Sequence, residues 1–347
     1  MGQSAELGWK VGLGLALLVA GCQAPQSDTV SSDGKPKVVA STSVLCDLVE
    51  QIAEETIDLT CLLEPGQDPH TYEPTPRDRS AIESADLVLY GGYDFEPKII
   101  ALVKASNTEA PKVAVYEAAV SEPLMGEAHE HEHGHEEEHG HEHDHEHQHE
   151  GEEGDGGHGD DEETVADPHI WHDAEHGIAI VETLRDRMQA AVPEQAETYQ
   201  EKAAALIAEL EQIDAWILQQ VETIPTGVRK LVTTHDAFRY YAEAYGFSVA
   251  GALGGLSTEE QPSAARLNEL IELVEQAKVP AIFAESTTNP QLIETVARDA
   301  EVKVAEDSLF VEGPGGPDSR AETYQAMLVA NTCTIAIALG GECDPLQ

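Results

Sequence analysis

Apolar residues in this chain fall into short runs separated by longer amphipathic stretches. From residue 37 the two kinds alternate. Residues 37–42 read as a short strand ending in small polar residues, and 45–54 as a helix. Residues 56–63 read as a second strand, 76–84 as a short helix, and 86–90 as a strand stopped by Gly91-Gly92. A helix over 97–105 and a strand over 112–116 follow. Strands alternating with helices predict a parallel sheet covered on both faces. Ligands of such sheets sit beyond the carboxyl ends of the strands. From 194 to 221 there is no Pro or Gly, and Leu206, Leu210, Ile213 and Ile217 form one apolar stripe. This predicts a single helix about 40 Å long. A second βα run has strands at 230–234, 247–252, 281–285 and 302–305. Its helices begin at His235 and cover 263–277, 291–300 and 324–339. The expected fold class is α/β: two (β/α) lobes with parallel sheets, joined by one long bridging helix. The expected division is a lobe at 37–193, the helix at 194–223 and a lobe at 224–347, and a length of 347 residues suits two such lobes.

One apolar run stands outside this alternation. Lys10 precedes residues 11–20, a stretch too short to span a bilayer and suited to an export signal over 1–21. It ends Val19-Ala20-Gly21-Cys22, which resembles the lipobox of bacterial lipoproteins and marks Cys22 for lipid attachment. Residues 22–36 are polar and suit a flexible tether. The expected location is therefore periplasmic or extracytoplasmic, on a lipid anchor. Four more cysteines, Cys46, Cys61, Cys333 and Cys343, leave three disulfide connectivities open in an exported chain, with neighbour pairing preferred.

Charge narrows the partners. A net charge of −47 argues against nucleic acid and anionic membrane surfaces and makes a cation the natural small ligand. Residues 127–163 carry eleven of the sixteen histidines among Glu, Asp and Gly, so this insert cannot build a core and is expected to collect metal weakly. Its His135-Glu136-Glu137-Glu138-His139 matches the zinc-protease signature, but that motif needs a helix with an apolar face, and every neighbour here is His, Glu or Gly.

The chemistry concentrates in one repeated phrase. Asp68-Pro69-His70 lies in a stretch with three prolines in nine residues, which makes a stiff loop able to hold an imidazole in place. The phrase returns as Asp167-Pro168-His169, and His235 follows the apolar run of the first strand in the second lobe. These three histidines, with one carboxylate, are expected to surround a metal ion. His172 and His176 lie one turn apart and offer a competing pair; His176 reads as a solvated helix residue.

The phrases GQDPHTYEPTPRD, ADLVLYGGYDFE, DPHIWHD, THDAFRYYAEAYG, GLSTEEQPSAARL, AIFAESTTNP and EDSLF, in order over about 37–340, resemble the zinc/manganese solute-binding proteins of bacterial ABC transporters. The resemblance implies two (β/α) lobes joined by a long helix with the metal between them. It implies His70, His169, His235 and Asp307 as ligands, with Glu306 adjacent to the variable fourth position. It also implies a membrane permease as partner, a monomer, and no enzymatic activity. Three imidazoles and one carboxylate suit Zn²⁺ in a closed four-coordinate site, whereas Mn²⁺ prefers more oxygen. Zinc is the expected ion and manganese the alternative, iron following it. A metal-buffering or adhesive lipoprotein uncoupled from transport would share these features.

Overall fold

The computed structural model describes residues 34–127, 164–259 and 262–346. The export signal, Cys22, most of the tether and the His/Glu tract from 128 to 163 lie outside the described residues. The described residues from Lys35 onward belong to one compact unit. No helix among the described residues is long and apolar enough to cross a membrane.

The first half runs β1 (Lys37–Ala40), α1 (Ser43–Ala53), β2 (Asp58–Cys61), α2 (Pro76–Glu83), β3 (Leu87–Tyr90), α3 (Pro97–Ala105), β4 (Lys112–Ala114) and α4 (Val115–Ala119). Its sheet has the order β2-β1-β3-β4, with every pair parallel. Thr42 caps α1 by accepting from the Leu45 amide. At α2 the Thr75 hydroxyl and the Asp78 carboxylate cap reciprocally, with Pro76 at the first helical position. These caps fix where each loop leaves the carboxyl edge of the sheet. The residues expected to complete the last strand differ: Val115 and Tyr116 open α4 instead. The Tyr116 amide still bonds to Gly91 O at 2.9 Å, just past β3, but the Tyr116 carbonyl accepts from the Val120 amide at 3.0 Å, a helical bond.

A short antiparallel pair, β5 (Met125–Glu127) with β6 (Thr164–Ala166), brackets the His/Glu tract. The patterning does not foretell it, since its halves lie far apart in sequence. Then come α5 (Ala174–Ala191) and α6 (Ala196–Glu222), a 27-residue helix preceded by a short 3-10 turn over Pro193–Gln195. On α6 Leu206, Leu210, Ile213 and Ile217 are buried, as the stripe predicts, and the helix packs against α5 and α1.

The second half has β7 (Lys230–Thr233), α7 (Arg239–Tyr245), β8 (Ser248–Ala252), α8 (Ala264–Ala277), β9 (Ala281–Ile282), α9 (Gln291–Asp299), β10 (Lys303–Val304) and α10 (Tyr324–Ala338). β7 pairs with β8 and β9 with β10, both parallel, and a bond from the Phe283 amide to Val232 O joins the pairs. α6 also packs against α7 and α10, so it touches elements of both halves. The main apolar core is continuous across them, with Trp171, Tyr116, Tyr199, Tyr241 and Tyr324 fully buried. Both neighbour disulfides, Cys46–Cys61 and Cys333–Cys343, are present.

The helix expected from His235 starts four residues later, at Arg239. The reason lies in the His235 carbonyl: it accepts from the Ala237 amide at 3.0 Å and from Thr233 Oγ1 at 2.7 Å, not from an amide four residues on, while the His235 N–H goes to Glu285 Oε1 at 2.8 Å.

Candidate metal centre

The two Asp-Pro-His phrases fold alike. Asp68 Oδ1 accepts from the His70 amide at 3.0 Å, and Asp167 Oδ1 from the His169 amide at 3.0 Å. The carboxylate two residues back closes a small loop across the proline, which has no amide of its own to offer. Asp167 Oδ1 also lies 2.9 Å from His169 Nδ1. His235 is held in the same way by a residue distant in sequence: Glu285 Oε2 lies 2.7 Å from its Nδ1, beside the amide bond already described. With Nδ1 donating to a carboxylate, the rings of His169 and His235 each turn Nε2 inward.

The fourth group is Glu312. Leu309 lies beside the residues that follow β9: its amide bonds to Ala284 O, the Ser286 amide to Leu309 O, and Glu285 forms a parallel bridge with Leu309. Trp171 Nε1 donates to Val311 O at 3.0 Å. The turn after Glu312 needs Gly313, whose φ is +138° and whose added Cβ would lie 2.2 Å from Ser43 Oγ.

One donor atom each from His70, His169, His235 and Glu312 lie within 4.8 Å of one another. His235 Nε2 is 3.3 Å from His169 Nε2 and 3.3 Å from Glu312 Oε1, and His70 Nε2 is 3.8 Å from Glu312 Oε2. No more than 3% of any of these four residues is exposed. Burial and the neighbouring His235 hold His169 well below the ordinary imidazole range, so its ring is neutral at pH 7. Burial also pulls on His235, but the carboxylates of Glu285, Glu312 and Asp68 outweigh it and hold its pKa above the usual value. Burial raises Glu312 above the usual carboxylate range. The cavity thus concentrates carboxylate around imidazole and favours positive charge at its centre.

Asp307, expected as the fourth ligand, is outside this cluster. Its side chain is 59% exposed and pairs with Arg320 at 3.1 Å, and Glu306 beside it is also exposed. Both precede the bridge at Leu309, whereas the inward-facing acid follows it. The signal was present: Leu309-Phe310-Val311 is an apolar run that ends in Glu312-Gly313, a strand-like stretch delivering a carboxylate into a turn. His172 is buried but not in the cluster. Its ring stacks on Phe238 at 4.3 Å, and burial keeps its pKa well below the usual value. His176 is partly exposed, 3.7 Å from Asp173. Asp167 and Glu285, which hold the rings, were not foreseen as such.

A buried nest of imidazole and carboxylate donors beside two parallel sheets is the architecture of a metal-binding substrate-binding protein of ABC transporters, a class without enzymatic activity. The chain belongs to the family described as zinc-uptake complex component A, periplasmic, whose sequence profile matches residues 38–338. It is 31% identical over 326 residues to the manganese-binding lipoprotein MntA of Halalkalibacterium halodurans, covering 94% of this chain and 95% of the relative. It is 30% identical over 333 residues to the zinc-binding protein TroA of Treponema pallidum, covering 94% and 96%. The solved structure of that periplasmic TroA protein matches with a TM-score of 0.74 at 29% identity, over 88% of this chain and 99% of the other.

Proposed function

We propose that this protein captures Zn²⁺ through His70, His169, His235 and Glu312 and delivers it to an ABC-transporter permease, held at the membrane by lipid on Cys22. The observation that carries the zinc reading is a pair of distances. Four ligands at about 2.0–2.1 Å from zinc, in tetrahedral array, stand about 3.3 Å apart. His235 Nε2 lies 3.3 Å from both His169 Nε2 and Glu312 Oε1. Three imidazoles to one carboxylate is also a zinc-like donor set. The zinc-binding name of TroA agrees with this reading.

Manganese is the second reading, and one feature favours it. Both oxygens of Glu312 face imidazoles, Oε1 toward His235 and Oε2 toward His70. Bidentate binding would raise the coordination number and the oxygen share, as Mn²⁺ prefers. The name of the MntA relative points the same way. Calorimetric titration with each ion decides between them. Zinc binding at least about 100-fold tighter than manganese is expected, in line with the general order of divalent affinities for such donors. Equal or tighter manganese binding would support the second reading. Stimulation of uptake by vesicles carrying the cognate permease separates a transport role from metal buffering or adhesion.

A further inference from the structure

The donor groups are buried, so an ion needs a way in. Next to them lies a cavity of about 150 Å³ that one donor, Glu312, shares. Its outer edge includes Pro65 and Ser286, both exposed, while Glu312 and Gly313 at the other side are buried. The lining also carries the hydroxyl residues Ser43, Thr287 and Ser319. His70, His169 and His235 do not line it. A cavity that holds one water needs about 10–15 Å³ by this measure, so this one has room for an ion with several of its waters.

We infer that this cavity is the port through which a hydrated divalent cation reaches the buried imidazoles, with Glu312 as the first protein ligand it meets. The inference rests on the reading of these four residues as the metal site. A carboxylate at the inner end of a neutral, hydroxyl-lined passage draws a cation inward and gives it oxygen partners as its waters leave. The two oxygens of Glu312 lie 3.3 Å from His235 Nε2 and 3.8 Å from His70 Nε2, so transfer from this carboxylate to an imidazole needs a movement of only a few ångströms. There is room for a side chain at Gly316, on the cavity lining: a Cβ built there meets only the Pro65 Cβ, at 3.9 Å. Gly316 is therefore a place where a side chain can obstruct the passage without touching a donor.

The test is zinc kinetics on the full chain with Gly316→Phe, and with Gly316→Ala as the size control. Association is followed by the fluorescence of Trp171, whose ring lies 5.4 Å from that of His169, and dissociation by transfer of zinc to excess chelator. An obstruction outside the coordination shell raises the same barrier for entering and leaving. Gly316→Phe is expected to slow both rates by the same factor, tenfold or more, with Kd unchanged and Gly316→Ala close to wild type. Unchanged rates in Gly316→Phe would overturn the port while leaving the metal site standing. Weaker Kd through faster dissociation alone would also overturn it, because that marks a distorted site. If Gly316→Phe does not fold by circular dichroism, Ser286→Phe across the mouth carries the same test. A wild-type chain that fails to bind zinc tightly would sink the site reading and the port with it.

Discussion

His169 and His235 are each gripped at two points, the backbone nitrogen and Nδ1, by a single carboxylate. That grip sets the tautomer and the aim of Nε2. In Glu285→Gln, an amide N–H facing Nδ1 of His235 would force the proton onto Nε2, where the ion belongs. Zinc affinity should fall about 10–100-fold, the usual effect of losing such a partner; a wild-type Kd in calorimetry would mean that Glu285 only packs. The choice between the two acids is sharper. Glu312→Ala removes a donor and should weaken zinc by more than about 100-fold. Asp307→Ala removes only an exposed ion pair with Arg320, worth about 0–1 kcal/mol, and should bind as wild type. Titrating both variants under one condition checks the pair, and a loss in Asp307→Ala alone would restore the acid that the sequence first suggested.

At the scale of elements, the local signals were readable and the long-range ones were not. The strand ends and the two Asp-Pro-His phrases each lie within a few residues, so proline stiffness and periodicity reveal them. Glu312 ends a local apolar run, but its place among the histidines needs the bridge between Glu285 and Leu309, and the aim of His235 needs the Glu285 carboxylate, both partnerships across distant sequence. The turn after β3 shows a further case. Buried Glu96 accepts from Ser41 Oγ and the Gly91 amide at 2.6 Å each, tying the ends of β1 and β3 together. Burial raises its pKa to about 7 from 4.5 despite those bonds. Between these values the folded chain keeps a proton that the unfolded chain has lost, so this group's contribution to stability falls as pH rises from 4.5 to 7 and is level above. Glu96→Gln keeps both acceptor contacts without the charge. Its advantage over wild type should grow from small at pH 5 to as much as about 3 kcal/mol at pH 8, by urea denaturation. A difference independent of pH would contradict the buried-acid account.

At the scale of the whole molecule, a net charge of −47 and a buried, carboxylate-rich centre both favour cations, but at different depths. By its composition the tract is expected to order chain when its histidines hold an ion, at about 1–2 kcal/mol of backbone entropy per residue. Those of the centre are already fixed by prolines, carboxylates and two parallel sheets. Deleting 128–163 should therefore reduce the number of zinc ions bound per chain yet leave one tight ion, read by calorimetry. Loss of that ion would place the tract in the primary site. The central claim concerns which atoms hold the metal, and anomalous diffraction at the zinc edge from zinc-loaded crystals tests it most directly. The account predicts one strong peak about 2.0–2.1 Å from an imidazole nitrogen of each of His70, His169 and His235 and from a carboxylate oxygen of Glu312. A principal peak outside that cluster, or one coordinated by Asp307 in place of Glu312, would contradict it.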